Sequence, residues 1–155
     1  MSASGPGQVL FEFVRHWSRR FTGDESALAN NGRLVLVAEV VHSLTMRYEA
    51  ATVTAVTREI GLDQSGASRL IKNAVQAGYL TVTTSTADRR RREVSLTSAG
   101  VELLDQAHQW QERVFDELAA GWSEQERQQF RGAMLTLMER SHRLSSAPLP
   151  QRAWR

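Results

Sequence analysis

The sequence predicts a mainly α-helical protein with one small β-hairpin. In most of the 155 residues, apolar side chains recur every three or four positions, which is the period of an α-helix. Only two short segments, 79–84 and 93–96, alternate in polarity and are rich in β-branched residues, as strands are. The hydrophobic fraction of 41% is ordinary for a globular protein, and no apolar run approaches the roughly eighteen residues of a membrane helix. We therefore expect one domain, 1–155, and no membrane partner.

Several kinds of functional site are excluded by what the sequence lacks. It contains no cysteine, so disulfides, thiolate metal ligands, cysteine nucleophiles and thiol redox sensors are all ruled out. It also contains no glycine-rich phosphate loop, no paired-carboxylate pattern and no His-x-x-Glu-His-like metal motif. We therefore expect a protein that is not an enzyme and binds no cofactor. Residues 1–8 lack a basic segment followed by an apolar one, so we expect no secretory signal and a cytoplasmic location.

Two helices are predicted in the N-terminal part of the chain. Residues 9–21 place apolar side chains at helical spacing, and the stripe consists of Leu10, Phe13, Val14, Trp17 and Phe21. Residues 22–32 end in Asn30-Asn31-Gly32 and are predicted to form a loop. The apolar segment 34–44 follows and is predicted to form a buried helix.

A pair of short helices and the hairpin occupy the middle of the chain. The first helix, 52–60, ends at Gly61, which can adopt a left-handed cap conformation. Asp63 is a favourable N-cap for the second helix, which begins at Gln64 and ends at Gly78. The two strand-like segments follow, and the polar, basic residues between them predict a long hairpin loop.

Two longer helices are predicted after the hairpin. Thr97 or Ser98 should cap the first, and Gly121 lies close to its end. Ser123 and Glu126 have the spacing of a capping box, in which each side chain bonds the backbone N–H of the other residue. The last helix begins there, and its inward side chains should be Phe130, Met134, Leu137 and Met138. Residues 145–155 contain two prolines and are predicted to form a flexible tail.

The central order of helix, tight turn, helix and hairpin is that of a winged helix-turn-helix, a DNA-binding lobe over residues 33–97. The helix that begins at Gln64 turns one apolar face inward. Its other face carries polar side chains that can bond base edges and phosphates in the major groove, namely Gln64, Ser65, Ser68, Arg69, Lys72 and Asn73. The N–H groups of its first turn could also meet a phosphate.

The hairpin tip, or wing, carries a run of four arginines, 89–92, in a chain whose net charge is only +2. Guanidinium groups on a flexible tip suit the narrow, electronegative minor groove. Because side chains alternate along a strand, about half of the run should point elsewhere. We expect Arg90 to contact DNA first, with Arg89 or Arg91 second. Asp88 should pair with an arginine and hold the tip in shape.

Two stretches resemble the MarR family of bacterial transcriptional regulators. Residues 53–80 read VTAVTREIGLDQSGASRLIKNAVQAGYL and resemble its helix-turn-helix, and residues 88–100 read DRRRREVSLTSAG and resemble its wing and the start of the next helix. The resemblance implies DNA contacts through Ser65, Ser68, Arg69, Lys72, Asp88 and Arg90. It also implies a repressor that binds a pseudo-palindromic operator as a homodimer, joined through 9–31 and 98–144. Aromatic residues that one lobe could not cover agree with a dimer: Phe11, Phe13, Trp110, Phe115 and Trp122.

The resemblance also implies partners other than double-stranded DNA and a second copy. Many relatives release DNA when a small aromatic ligand enters between the dimer helices and the lobe, and candidate ligand residues here are His16, Trp17, Arg20, His42, Met46 and Arg47. A zinc-responsive branch exists, for which the candidate ligands are Asp24, His42, His108 and Glu112. A winged-helix scaffold that binds protein is a further alternative, and binding that is insensitive to salt would favour it.

Overall fold

The computed structural model describes residues 5–22, 27–86 and 88–145, without the side chains of 19–22, 27–30 and 145. The elements are α1 (Pro6–Thr22), α2 (Ala27–Met46), α3 (Val53–Ile60), α4 (Gln64–Gln76), β1 (Leu80–Thr84), β2 (Arg92–Leu96), α5 (Ser98–Leu118) and α6 (Glu124–Ser145). The predicted fold class, mainly helical with a small wing, is confirmed. The predicted tail lies outside the described residues except for Ser145, which ends α6. No helix in the described ranges is long and apolar enough to cross a membrane.

The predicted loop 22–32 is wrong in its second half, because α2 already begins at Ala27. Asn30, Asn31 and Gly32 therefore lie inside a helix, although each costs up to about 1 kcal/mol there relative to alanine. The helix forms here because of tertiary packing. The rest of α2 supplies six buried residues, which are Leu34, Val37, Ala38, Val40, Val41 and Leu44, and their burial outweighs the poor local propensity.

The chain divides into two compact units, 1–109 and 110–155. The core of the first unit is built on α2. Around it pack Val56 of α3, Ile71 and Ala74 of α4, and one buried residue from each strand, Leu80 and Val94. The long α2 is therefore the support on which the helix pair and the hairpin are assembled.

The hairpin is antiparallel and pairs Leu80 with Leu96 and Val82 with Val94. Residues 51–52 pair with the outer side of β2. The Val94 N–H donates to the Ala51 carbonyl oxygen at 2.8 Å, and Thr52 forms an antiparallel bridge with Glu93. The segment between α2 and α3 is thereby fixed to the base of the wing.

The predicted end of α3 and the predicted caps of α4, α5 and α6 are confirmed. Asp63 caps α4, and its side chain accepts from Gly66 N. Gly61, after α3, has a positive φ of 72°. Of the two candidates at the start of α5 it is Thr97 whose side chain accepts, from Gly100 N at 3.1 Å. The capping box of α6 forms: Ser123 N donates to Glu126 Oε2 at 2.7 Å, and Glu126 N donates to Ser123 Oγ at 3.3 Å.

The second unit contains the end of α5 and all of α6. The rings of Phe115 and Phe130 stack at 5.5 Å, and Trp122 meets Phe130 edge-on at 5.6 Å. This contact covers part of the aromatic surface that the sequence assigned to a second copy. The expectation that α6 turns its apolar residues inward holds in part within one chain: Phe130 packs on Phe115 and Met134 is half-buried. It is wrong for Leu137 and Met138, which are 43% and 52% exposed.

Candidate nucleic-acid interface

The outer face of α4 holds all six of the predicted reading residues. Ala67, Leu70, Ile71 and Ala74 are buried because their spacing turns them toward the core. The helical period then leaves the other side in solvent, and it presents Gln64, Ser65, Ser68, Arg69, Lys72 and Asn73, all exposed. In the part of the chain that the structure describes, Lys72 forms no ion pair. This face combines hydrogen-bonding side chains with free positive charge, as a surface that reads a base-pair edge requires.

The start of α4 differs from the expectation that its free N–H groups would meet a phosphate. The Gly66 N–H donates to Asp63 Oδ1 at 3.2 Å, and the Ser65 hydroxyl donates to Asp63 Oδ2 at 2.5 Å. The Asp63 carboxylate therefore already bonds the first turn of α4, and its negative charge repels a phosphate at that position. Because the Ser65 hydroxyl donates to Asp63, its oxygen remains able to accept a further hydrogen bond.

The electrostatics of this turn keep Asp63 ionised. The hydrogen bond from Ser65 lowers the pKa of Asp63, and the Gly66 N–H and the positive charge of Arg69 lower it further. Asp63 was predicted only as a cap. Its position beside the reading residues could have been read from the sequence, because it directly precedes Gln64.

The connection between β1 and β2 runs from 85 to 91, so the predicted long loop is confirmed, and its described residues form a hydrogen-bonded turn. Ser85 N donates to the Arg91 carbonyl oxygen at 2.8 Å, and Arg91 N donates to the Asp88 carbonyl oxygen at 2.9 Å. Asp88 Oδ1 also accepts from Arg90 N at 3.0 Å. These bonds extend the hairpin and close a tight turn at its end, which fixes where the arginines begin.

The turn separates the four arginines. Arg91 Nε lies 3.7 Å from Asp88 Oδ2, so Asp88 pairs with an arginine as expected. Arg89 and Arg90 occupy the exposed corners of the turn. Among the residues that the structure covers, Arg89, Arg90 and Arg92 form no ion pair. Arg91 is thus the arginine of the run that Asp88 engages. Arg92, which ends the same run and is absent from the predicted contacts, is also exposed.

The candidate effector residues lie on α1 and α2, except for Arg47, which directly follows α2. His16 and Trp17 form an edge-on ring pair at 6.0 Å on α1. Met46, at the end of α2, is 65% exposed. The side chain of Arg20 lies outside the described residues. These positions do not test the predicted effector site, which stays a prediction.

Arg47 is already engaged by two carboxylates. It bonds Glu59 Oε1 through both terminal nitrogens at 3.2 Å. Its Nε lies 3.1 Å from Glu49 Oε1, at an angle that makes an ion pair but no hydrogen bond. An organic anion at Arg47 would have to displace these carboxylates, so Arg47 is a poor candidate for holding one.

The candidate zinc ligands are only partly brought together. The rings of His42 and His108 are 6.5 Å apart, and His108 Nε2 lies 2.7 Å from Glu39 Oε1. Sequence reasoning missed Glu39 because it lies 69 residues before His108. Within the described ranges no three His, Asp or Glu side chains are arranged to hold a metal, and Asp24 lies outside those ranges. The geometry gives the zinc alternative no support.

Residues 43–91 match the model of the MarR family. This stretch runs from the end of α2 through the helix pair and into the wing, and it includes every one of the predicted DNA-binding residues. No curated protein sequence matches the chain.

Solved structures match almost the whole chain. A MarR structure has a TM-score of 0.68 at 22% identity and covers 94% of this chain and 97% of its own. A mutant of MepR from a multidrug-resistant S. aureus clinical isolate has a TM-score of 0.64 at 14% identity, covering 88% and 98%. BpsR from Bordetella bronchiseptica, whose DNA binding is regulated by 6-hydroxynicotinic acid, has a TM-score of 0.54 at 20% identity, covering 87% and 98%. The resemblance drawn from 53–80 and 88–100 is therefore confirmed.

Proposed function

We propose that this chain, which carries the winged helix of the MarR family, is a sequence-specific DNA-binding transcriptional regulator. The observation that carries the proposal is the division of α4 into a buried apolar face and an exposed face of hydrogen-bonding and cationic side chains. In this role Arg69, Gln64 and Asn73 read base edges in the major groove. Arg89 and Arg90 enter the neighbouring minor groove, and Arg92 contacts phosphate.

The active form in this proposal is a homodimer. No described side chain of α1 or α6 is buried, although both helices are rich in large apolar residues. On α1 these are Val9, Leu10, Phe11, Phe13 and Val14, and on α6 they are Phe130, Leu135, Leu137, Met138 and Leu144. Exposed apolar faces of this size favour association. A two-fold dimer presents two copies of α4, so its operator should be a pseudo-palindrome.

We further propose a repressor that a small organic anion releases from DNA. The support is the structural likeness to BpsR, whose DNA binding responds to 6-hydroxynicotinic acid. In this chain His16, Trp17 and His42 are the candidate contacts, since the His16 imidazole lies beside the Trp17 ring and an aromatic ring beside an imidazole suits such a ligand. Because the proposed target is genomic DNA, the site of action would be the cytoplasm.

Fluorescence anisotropy tests the central proposal. A duplex from the region upstream of the protein's own gene is compared with a scrambled duplex of the same composition across a salt series. Tighter binding to the upstream duplex that weakens steeply with salt is the expected result. Equal binding to both would indicate that the operator lies elsewhere. Binding to neither at low salt would overturn the proposal in favour of a scaffold that binds protein, and sedimentation analysis tests the dimer separately.

A further inference from the structure

Asp63 is a negative charge fixed at the N-terminal edge of the proposed reading surface. It directly precedes Gln64, and its two oxygens are held by the Ser65 hydroxyl at 2.5 Å and the Gly66 N–H at 3.2 Å. Its side chain is exposed, so it faces whatever approaches the start of α4. A DNA duplex that reaches Ser65 must therefore meet this carboxylate.

The carboxylate is accommodated by a specific local arrangement. A Cβ atom on residue 66 would lie only 2.7 Å from Asp63 Oδ1, so the carboxylate would have to shift from its observed position if residue 66 were not glycine. Glycine weakens a helix, and a serine or threonine could cap α4 without any charge. The arrangement therefore keeps a charge that capping alone does not need, on a surface that is otherwise suited to a polyanion.

We propose that Asp63 is a specificity-determining residue, whose carboxylate opposes the phosphates of every duplex and is compensated only where a cytosine amino group of the cognate site donates to it. The inference rests on the proposed function. Repulsion of phosphate is independent of sequence, so it weakens binding to all DNA alike. Acceptance of a hydrogen bond from the cytosine N4 amino group is restricted to one base. The two effects together raise the ratio of specific to non-specific affinity.

The variant that separates charge from capping is Asp63→Asn, because asparagine is also a favourable N-cap. Its affinity for a scrambled duplex should rise about two- to five-fold, the size expected for one exposed charge interaction. Its affinity for the best duplex selected from a random pool should rise less or fall. Selection with the variant should also lose a cytosine preference at one position of each half-site. Asp105→Asn on α5 removes the same charge outside the winged helix and should leave the ratio of the two affinities unchanged.

The outcomes are distinct. A lower ratio in Asp63→Asn, with the ratio of Asp105→Asn unchanged, supports the inference. An unchanged ratio in Asp63→Asn, or an equal loss of affinity for both duplexes, would show that Asp63 only caps the helix and would overturn it. If the unaltered protein binds no duplex, the proposed function falls and this inference falls with it. A melting curve for each variant identifies any loss of fold.

Discussion

The Thr97 hydroxyl donates a hydrogen bond to the Gly78 carbonyl oxygen at 2.6 Å. The hydroxyl oxygen of Thr97 in turn accepts from Gly100 N at 3.1 Å, and Thr97 N donates to the Tyr79 carbonyl oxygen at 3.0 Å. One threonine thereby joins the end of the proposed reading helix α4, the base of the wing and the start of α5. Thr97 and Gly100, which lie in the stretch 88–100 that resembles the MarR wing, thus have a physical role in this joint.

Thr97→Val should destabilise the protein by about 1–2 kcal/mol, because it removes the N-cap of α5 and leaves the Gly78 carbonyl without its hydroxyl donor. Thr97→Ser keeps the hydroxyl and should restore most of the lost stability. Urea unfolding of the three proteins measures the difference. Equal stability of the valine and serine variants would mean that the hydroxyl contributes nothing.

Gly100→Ala should be more damaging. A Cβ atom there would clash directly with the Tyr79 carbonyl oxygen and would lie 3.0 Å from Leu96 Cδ2, so the backbone would have to move. We expect a loss of about 1–3 kcal/mol, as for other overpacked sites. Gly132 on α6 provides the matched control, since a Cβ there meets nothing within 4 Å.

Gly132→Ala should stabilise by up to about 1 kcal/mol, because alanine is the better helix former. Thermal or urea unfolding of both alanine variants tests the pair. Equal effects of the two substitutions would contradict the tight approach of α5 to Tyr79.

Stability in acid should depend on the capping box of α6. The Ser123 N–H, and then the Ser123 hydroxyl, lower the pKa of Glu126. A lowered folded pKa contributes stability that is complete above the unfolded value of about 4.3. The contribution is lost as pH falls through the folded pKa. Wild type should therefore exceed Glu126→Gln in stability at pH 7, and the difference should shrink as the pH is lowered toward about 3.

Urea unfolding at several pH values measures this difference. In a Ser123→Ala background the effect of Glu126→Gln should persist in part, since the backbone N–H still donates. A difference that stays constant from neutral pH into the acid range would be evidence against the charged cap.

The sequence predicted most helix ends because they depend on local chemistry. Glycines were expected at three ends, and Gly61, Gly78 and Gly121 all have positive φ, at 72°, 83° and 84°. The end of α2 could not be predicted in this way. It uses Tyr48, which has a φ of 58° and is 98% exposed. Its N–H donates to the Thr45 carbonyl, so a helix-ending motif forms without the usual glycine.

In the site too, features set by neighbouring residues could be predicted from the sequence, and features set by distant contacts could not. The polar face of α4 followed from periodicity, because its apolar residues fix which side is outward. The pairing of His108 with Glu39 joins positions 69 apart, and the beginning of α2 is supported by buried residues that lie further along the helix, from Leu34 to Leu44. Neither is encoded in a local pattern. The turn that sorts the wing arginines depends on backbone bonds of Ser85, Asp88 and Arg91, which the charge run alone does not reveal.

Substitutions test whether this sorting of the wing arginines matters for binding. Arg90 occupies a free corner of the wing turn, so Arg90→Ala should weaken binding to all duplexes and reduce the slope of log affinity against log salt by about one. Arg69→Ala on α4 should instead cost about 1–3 kcal/mol on the selected duplex and relax one base preference. Arg113→Ala on α5 removes the same charge elsewhere and serves as the control. If Arg113→Ala lowers affinity and slope as much as Arg90→Ala does, net charge alone would explain the effect and the wing would have no special role.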